Sequence, residues 1–171
     1  NFVHFNEVVQ KAQRLMDDVI DLEIEQVDKI IDKIDSDPET CHVKRIEREL
    51  WQKIRSRAVQ GRRTGLGITA LGDALAALGI RYGSDESIEA TEKIYRTLAA
   101  GSHKSSITLA AQRGAFPIWD KELEADHEYL QRILDICGDD YSNMYHQTGR
   151  RNIANTTTAP ANNGVISDFE L

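Results

Sequence analysis

Two Glu-x-x-His pairs, Glu39 with His42 and Glu124 with His127, have the spacing that most directly offers chemistry. A carboxylate and an imidazole three positions apart share one helix face, as in the di-iron sites of four-helix bundles. Glu39 directly follows Pro38, however, at a helix end rather than inside a bundle. The pairs therefore read as solvated surface residues, with a di-metal helical protein as the alternative. The run Gly65-Leu66-Gly67-Ile68-Thr69-Ala70 fits the opening of a dinucleotide fingerprint. That motif works when a strand delivers the glycines and a helix N-terminus meets the phosphate. A helix is expected before this run, so the glycines are read instead as letting a helix cross closely over its neighbour. Cys41, between Thr40 and His42, has no arrangement that activates a nucleophile. Cys137 ends a helix, where the dipole disfavours a thiolate. Both cysteines are read as packing residues.

Composition excludes several classes. The chain has 171 residues with a net charge of −7, which argues against general nucleic-acid binding. No apolar run approaches the roughly 20 residues that cross a bilayer, and no basic-then-apolar leader opens the sequence. Two cysteines outside any CxxC pair fit a reducing cytoplasm. Charge is unevenly placed: residues 1–40 carry 11 acids and 4 bases, residues 41–82 carry 9 bases and 3 acids. Two helical faces that attract each other would produce that asymmetry.

The elements that must position these residues are mostly helical. Val8, Val9, Ala12, Leu15, Met16, Val19, Ile20, Ile24, Val27, Ile30, Ile31 and Ile34 recur at three- and four-residue steps, which predicts a helix over 6–34. Asp35-Ser36-Asp37-Pro38 stops it. A second helix over 42–60, with Val43, Ile46, Leu50, Trp51, Ile54 and Ala58 on one face, would pair with it antiparallel. An apolar helical stretch follows Gly67 and stops at Gly79. Ser84 is a good N-cap for a helix reaching Gln112, closed by Gly114. Ala115 to Trp119 is expected as an extended connector. Asp120 caps a helix to Cys137, closed by Gly138, with a short helical piece at 141–147. Residues 152–160 are rich in β-branched types and read as a strand. One strand alone leaves its backbone groups unpaired, so this segment is expected to need company from outside the chain.

Four passages together resemble the catalytic subunit of ribonucleotide reductases. They are Ala12-Gln13-Arg14-Leu15-Met16-Asp17-Asp18-Val19-Ile20-Asp21; Gly61-Arg62-Arg63-Thr64-Gly65-Leu66-Gly67-Ile68-Thr69-Ala70-Leu71-Gly72-Asp73, continued through Leu78 to Glu86; Arg113-Gly114-Ala115-Phe116-Pro117; and Gly149-Arg150-Arg151-Asn152-Ile153 leading to Thr157-Thr158-Ala159-Pro160. The wording of Gly61–Asp73 is closest to adenosylcobalamin-dependent members.

The resemblance implies a mainly α segment, the helical part of a ten-stranded α/β barrel, with strand 152–160 in that barrel. It implies a partial barrel domain over 1–160 and a short polar tail over 161–171. Family chemistry uses a thiyl-radical cysteine with a nearby asparagine and glutamate, expected upstream of residue 1. It also uses a redox cysteine pair that neither Cys41 nor Cys137 matches. The expected role is thus one part of a ribonucleoside di- or triphosphate reductase, inactive alone. Reductase polypeptides completing the barrel would be its partners, and adenosylcobalamin the cofactor of the complete enzyme. A non-catalytic helical module derived from the fold is the alternative. After the alanine-proline, the family places a turn that holds the substrate phosphates. Here that turn would involve Pro160, Ala161, Asn162 and Gly164, where the family's threonine is replaced and glycine arrives late.

Overall fold

The computed structural model describes residues 1–156. Helix α1 (Phe2–Ser36) starts at Asn1, whose side chain accepts from the amides of Val3 and His4, and gives way at Asp37-Pro38. Helix α2 (Cys41–Gly61) returns antiparallel along it. Strand β1 (Arg63–Leu66) follows, then α3 (Leu71–Ala77) and the long α4 (Asp85–Arg113). Three shorter helices, α5 (Lys121–Glu124), α6 (Glu128–Cys137) and α7 (Asp139–Thr148), lead to strand β2 (Ile153–Thr156). The two strands pair in parallel, Arg63 opposite Ile153 and Leu66 opposite Thr156. Parallel pairing requires a long crossover, and α3 to α7 supply it. No described helix is long and apolar enough to cross a membrane.

Several expectations change. The segment read as a glycine loop contains β1, so the C-terminal strand has one partner within the chain. A strand, not a helix, therefore delivers Gly65 and Gly67. A Cβ at Gly65 would meet nothing within 4 Å, so that glycine serves no close helix crossing. The described part of the strand expected over 152–160 is Ile153–Thr156; the remainder lies outside the described residues. The helix expected from Asp120 to Cys137 is broken at 125–127. Asp120 caps α5, and His127 turns out of the helix to cap α6, its Nδ1 accepting from Leu130 N at 3.4 Å. The connector after Gly114 makes a turn at 117–118 rather than staying extended.

The apolar faces also differ. The buried positions of α1 are Val9, Gln13, Asp17, Ile20, Val27 and Ile34, while Val8, Leu15 and Val19 are exposed. On α2, Val43, Ile46 and Leu50 are exposed, and Gly61 is the buried residue. Trp51, Ile54 and Ala58 are half-buried, and ion pairs and a hydrogen bond also join that helix to α1. Arg55 Nε donates to Asp28 at 2.5 Å, Arg48 pairs with Asp35, and Lys44 Nζ donates to the Asp35 carbonyl at 3.0 Å. The acidic and basic halves do attract each other, as their sequence asymmetry implies.

Helix α4 is the central element. Ser84 caps it, accepting from Ser87 N at 3.2 Å, and Gly114 closes it. Small residues on it, Gly101, Ser102 and Ser105, meet α1, so the two helices approach closely. A Cβ at Gly101 would stand 2.8 Å from Val9 Cγ1. On the other side, Ile107 packs with Leu130, Leu134 and Tyr145, and Ala99 and Ala100 pack with Ile133 and Cys137.

Two outcomes follow from α4. Gly101→Val is expected to lower folding stability by about 1–3 kcal/mol through overpacking, measured by urea denaturation; unchanged stability would contradict the close approach. His103 is buried, with Nδ1 3.0 Å from the Ala99 carbonyl and its ring edge-on to Tyr129. Burial, aided by the Arg150 charge, pushes its pKa down to about 4, against the opposing pull of the Ala99 carbonyl and Glu124. The unfolded chain, titrating near 6.5, binds a proton there that the folded chain refuses. The resulting penalty is absent above pH 6.5, grows as pH falls and is complete below about 4. Stability measured across that window should fall with pH in the parent and stay flatter in His103→Gln. An equal slope in both would contradict it.

Candidate functional site

Beneath the strand pair lies a buried polar layer centred on the carboxylate of Asp17. Asp17, Gln13 and Asn152 are fully buried, and the Arg62 and Thr64 side chains are nearly so. Asp17 Oδ1 accepts from Arg62 Nε at 2.9 Å, Arg62 Nη2 at 2.6 Å and Asn152 Nδ2 at 2.7 Å. Oδ2 accepts from Arg113 Nη1 at 2.7 Å. The two arginines also reach outward, Arg62 to Asp21 and Arg113 to Asp18, each at 2.8 or 2.7 Å. Burial alone would raise the Asp17 pKa. The hydrogen bonds from Asn152, Arg62 and Arg113, with the Arg62 charge, outweigh it and hold the carboxyl below its ordinary value.

Each partner comes from a different element, and local geometry explains how it arrives. Asp17 lies one turn from Gln13 and nearly one from Ile20 on the buried stripe of α1. Arg62 is the left-handed C-cap of α2, at φ 39° and ψ 51°. That conformation is costly for a residue with a Cβ, and the two hydrogen bonds to Asp17 Oδ1 offset the cost. Arg113 ends α4. Arg151 also points at Asp17 Oδ1, its Nε at 3.4 Å, but that oxygen already accepts three donors. Arg151 Nε is accordingly buried without a hydrogen bond. Its Nη1 instead donates to the carbonyls of Arg113 and Gly114 at 3.3 Å.

The amide of Gln13 extends the layer. Its Nε2 donates to Thr64 Oγ1 at 2.9 Å and Asn152 Oδ1 at 3.3 Å, and its Oε1 accepts from Ser102 Oγ at 2.9 Å. Asn152 N donates to Ser106 Oγ at 3.0 Å, and Arg151 N donates to the Ser106 carbonyl at 3.0 Å. Helices α1 and α4 are thereby bonded to β1 and to the entry of β2.

A second buried ion pair supports the approach to β2. Glu124 accepts from Arg150 Nε at 3.0 Å and also from Arg150 Nη2, Trp119 Nε1 at 2.9 Å and Tyr145 Oη at 2.8 Å. Burial, reinforced by the Glu124 charge, pushes the Tyr145 phenol far above its ordinary range. The Arg150 guanidinium lies 5.7 Å from the Phe116 ring centroid. Gly149 has φ 73°, and a Cβ there would stand 2.7 Å from the Trp119 indole, so only glycine fits.

The metal-ligand candidates separate. Glu124 is committed to Arg150, and His127 caps α6. Glu39 and His42 are exposed where α1 turns into α2. The group of three possible ligands among the described residues is Asp17, Asp18 and Asp21, and Arg62 and Arg113 occupy it. Cys41 is exposed, contrary to its expected packing role; Cys137 is buried and its thiol is pushed up to about 11, chiefly by burial. The phosphate candidates Pro160, Ala161, Asn162 and Gly164 lie outside the described residues.

The geometry does fix a direction. Both strands run the same way, so their carboxyl ends, Leu66 and Thr156, lie side by side. Parallel α/β sheets and barrels bind ligands beyond the carboxyl ends of their strands. Residues 67–70, with Ala70 left-handed at φ 62°, leave β1 on that side.

Comparison with known proteins gives this arrangement a context. A family model described as "Ribonucleotide reductase, barrel domain" matches residues 1–163. A "Vitamin B12-dependent ribonucleoside-diphosphate reductase" of Thermoplasma acidophilum is 29% identical over 167 residues, covering 98% of this chain and 16% of that protein. One of the same description from Mycobacterium tuberculosis (strain CDC 1551 / Oshkosh) is 32% identical over 111 residues, 65% of this chain and 13% of its own length. A "Ribonucleoside-diphosphate reductase large subunit" of African swine fever virus (isolate Tick/South Africa/Pretoriuskop Pr4/1996) is 37% identical over 76 residues, 44% of this chain and 10% of that protein. The chain thus spans about one-sixth or less of the length of these relatives. No solved structure matches. The four passages that resemble the reductases supply Gln13, Asp17, Arg62, Thr64, Arg113, Arg150 and Asn152, and the chain belongs to the ribonucleotide reductase barrel-domain family.

Proposed function

We propose that this chain supplies one wall of the barrel of an adenosylcobalamin-dependent ribonucleoside-diphosphate reductase, with the thiyl-radical and redox cysteines carried elsewhere in the enzyme. The observation that carries the reading is the parallel pair β1–β2, fixed to two helices by the family's own motif residues. A two-stranded sheet leaves two outer edges and seldom stands alone, which fits two strands of a larger barrel. Residues 1–160 would form the barrel segment and 161–171 a polar tail.

Pro160, Ala161, Asn162 and Gly164 would hold the substrate phosphates through backbone amides and the asparagine side chain, at the carboxyl end of β2. The radical chemistry would lie with the rest of the enzyme, in a cytoplasmic setting that suits two unpaired cysteines.

Reconstitution tests the proposal. The chain would be combined with polypeptide carrying the remaining barrel, with adenosylcobalamin and a dithiol reductant, and CDP reduction followed. Deoxycytidine diphosphate should form only in the complete mixture. Turnover by the chain alone, or none in the complete mixture, would overturn it.

A further inference from the structure

We infer that the outer face of α1 is a seam on which a second copy of this chain docks, the two helices lying antiparallel about a twofold axis. Phe5, Val8, Ala12, Leu15, Val19 and Leu22 follow one another at alternating steps of three and four, the spacing of a coiled-coil seam. Val8, Leu15, Val19 and Leu22 are 45%, 61%, 44% and 55% exposed. The side chains that tie α1 to the rest of the chain lie on its opposite face. Gln13 reaches Thr64 of β1 and Ser102 of α4, Asp17 and Asp21 hold Arg62, and Asp28 holds Arg55 of α2. The seam thus takes no part in those contacts, and a continuous apolar stripe left open on a helix marks a contact surface.

Layering and charge select the occupant. When α1 is laid against a reversed copy of itself, with Ala12 opposite the partner's Leu15, every layer is filled. Val8 then meets the partner's Val19, and Phe5 meets the partner's Leu22. Just outside the seam, Lys11 faces the partner's Asp18 and His4 faces the partner's Glu25, each twice by symmetry. Lys11, His4 and Glu25 are exposed, and the Asp18 side chain is half-exposed. Arg113 takes Asp18 Oδ1, and Oδ2 is the oxygen that would receive Lys11. The parallel arrangement sets Asp18 against the partner's Glu23, acid against acid, and Lys11 against the partner's Met16. Only the reversed pairing satisfies both the layers and the charges, and a self-complementary face of this kind closes as a dimer.

Sedimentation equilibrium of the chain, from micromolar to submillimolar concentration, tests the seam. The parent should reach twice the monomer mass at the upper concentrations. Leu15→Glu places a charge in two central layers and should weaken association at least about 100-fold. Lys11→Glu sets an acid against the partner's Asp18 on both sides and should weaken it about ten-fold. Both positions face solvent in the single chain, so circular dichroism and the urea midpoint at low concentration should stay parental. A parent that is monomeric throughout, or a dimer indifferent to either substitution, overturns the proposal. So does a dimer that dissociates when polypeptide carrying the remaining barrel is added, because the seam then belongs to that polypeptide.

Discussion

A carboxylate removed from water costs several kcal/mol unless nearby donors replace its hydration, and Asp17 is placed where four hydrogen bonds do so at once. The donors come from the end of α2, the end of α4 and the entry to β2, as far as 135 positions from Asp17 along the chain. The ionic layer adds to the apolar packing there and makes one relative placement of the elements far better than its neighbours. It is also directional, which apolar packing is not. The result is two short strands held at a defined height above two helices.

The second pair, Glu124 with Arg150, extends the same logic along the chain. Arg150 and Arg151 are adjacent yet face opposite partners, Glu124 on one side and the Asp17 layer on the other. The peptide leading into β2 is thus gripped from both directions just before Ile153. Glycine at 149 admits the Trp119 indole against the backbone, and Trp119 in turn donates to Glu124. The family model spans residues 1–163, and within that stretch these residues form a scaffold that holds the strand entries in place.

Much of this was legible in the sequence, and the gaps have physical causes. Helices α1 and α4 could be placed because Pro38, Ser84 and Gly114 mark their ends chemically. The attraction between α1 and α2 could be read from charge. Strand β1 could not, because four residues that include Gly65 show no alternation, and its stability comes from Gln13 and β2 rather than from its own propensity. The α2 stripe held only in part: Trp51, Ile54 and Ala58 are half-buried, while Val43, Ile46 and Leu50 are exposed. Gln13 and Asp17 were overlooked as buried, although they continue the spacing of Val9 and Ile20. Polar residues inside an apolar period, with spare arginines elsewhere, were the available signal. Glu124 and His127 shared a predicted face only while their helix was assumed unbroken.

Urea denaturation of the chain carrying Asp17→Asn tests the central interaction most directly. The amide keeps the shape but removes the charge, leaving the buried Arg62 with only the half-exposed Asp21 as counterion and presenting an N–H group to donors. The account predicts a loss of about 3–5 kcal/mol at neutral pH. A loss below about 1 kcal/mol, the range of an ordinary surface pair, would contradict it.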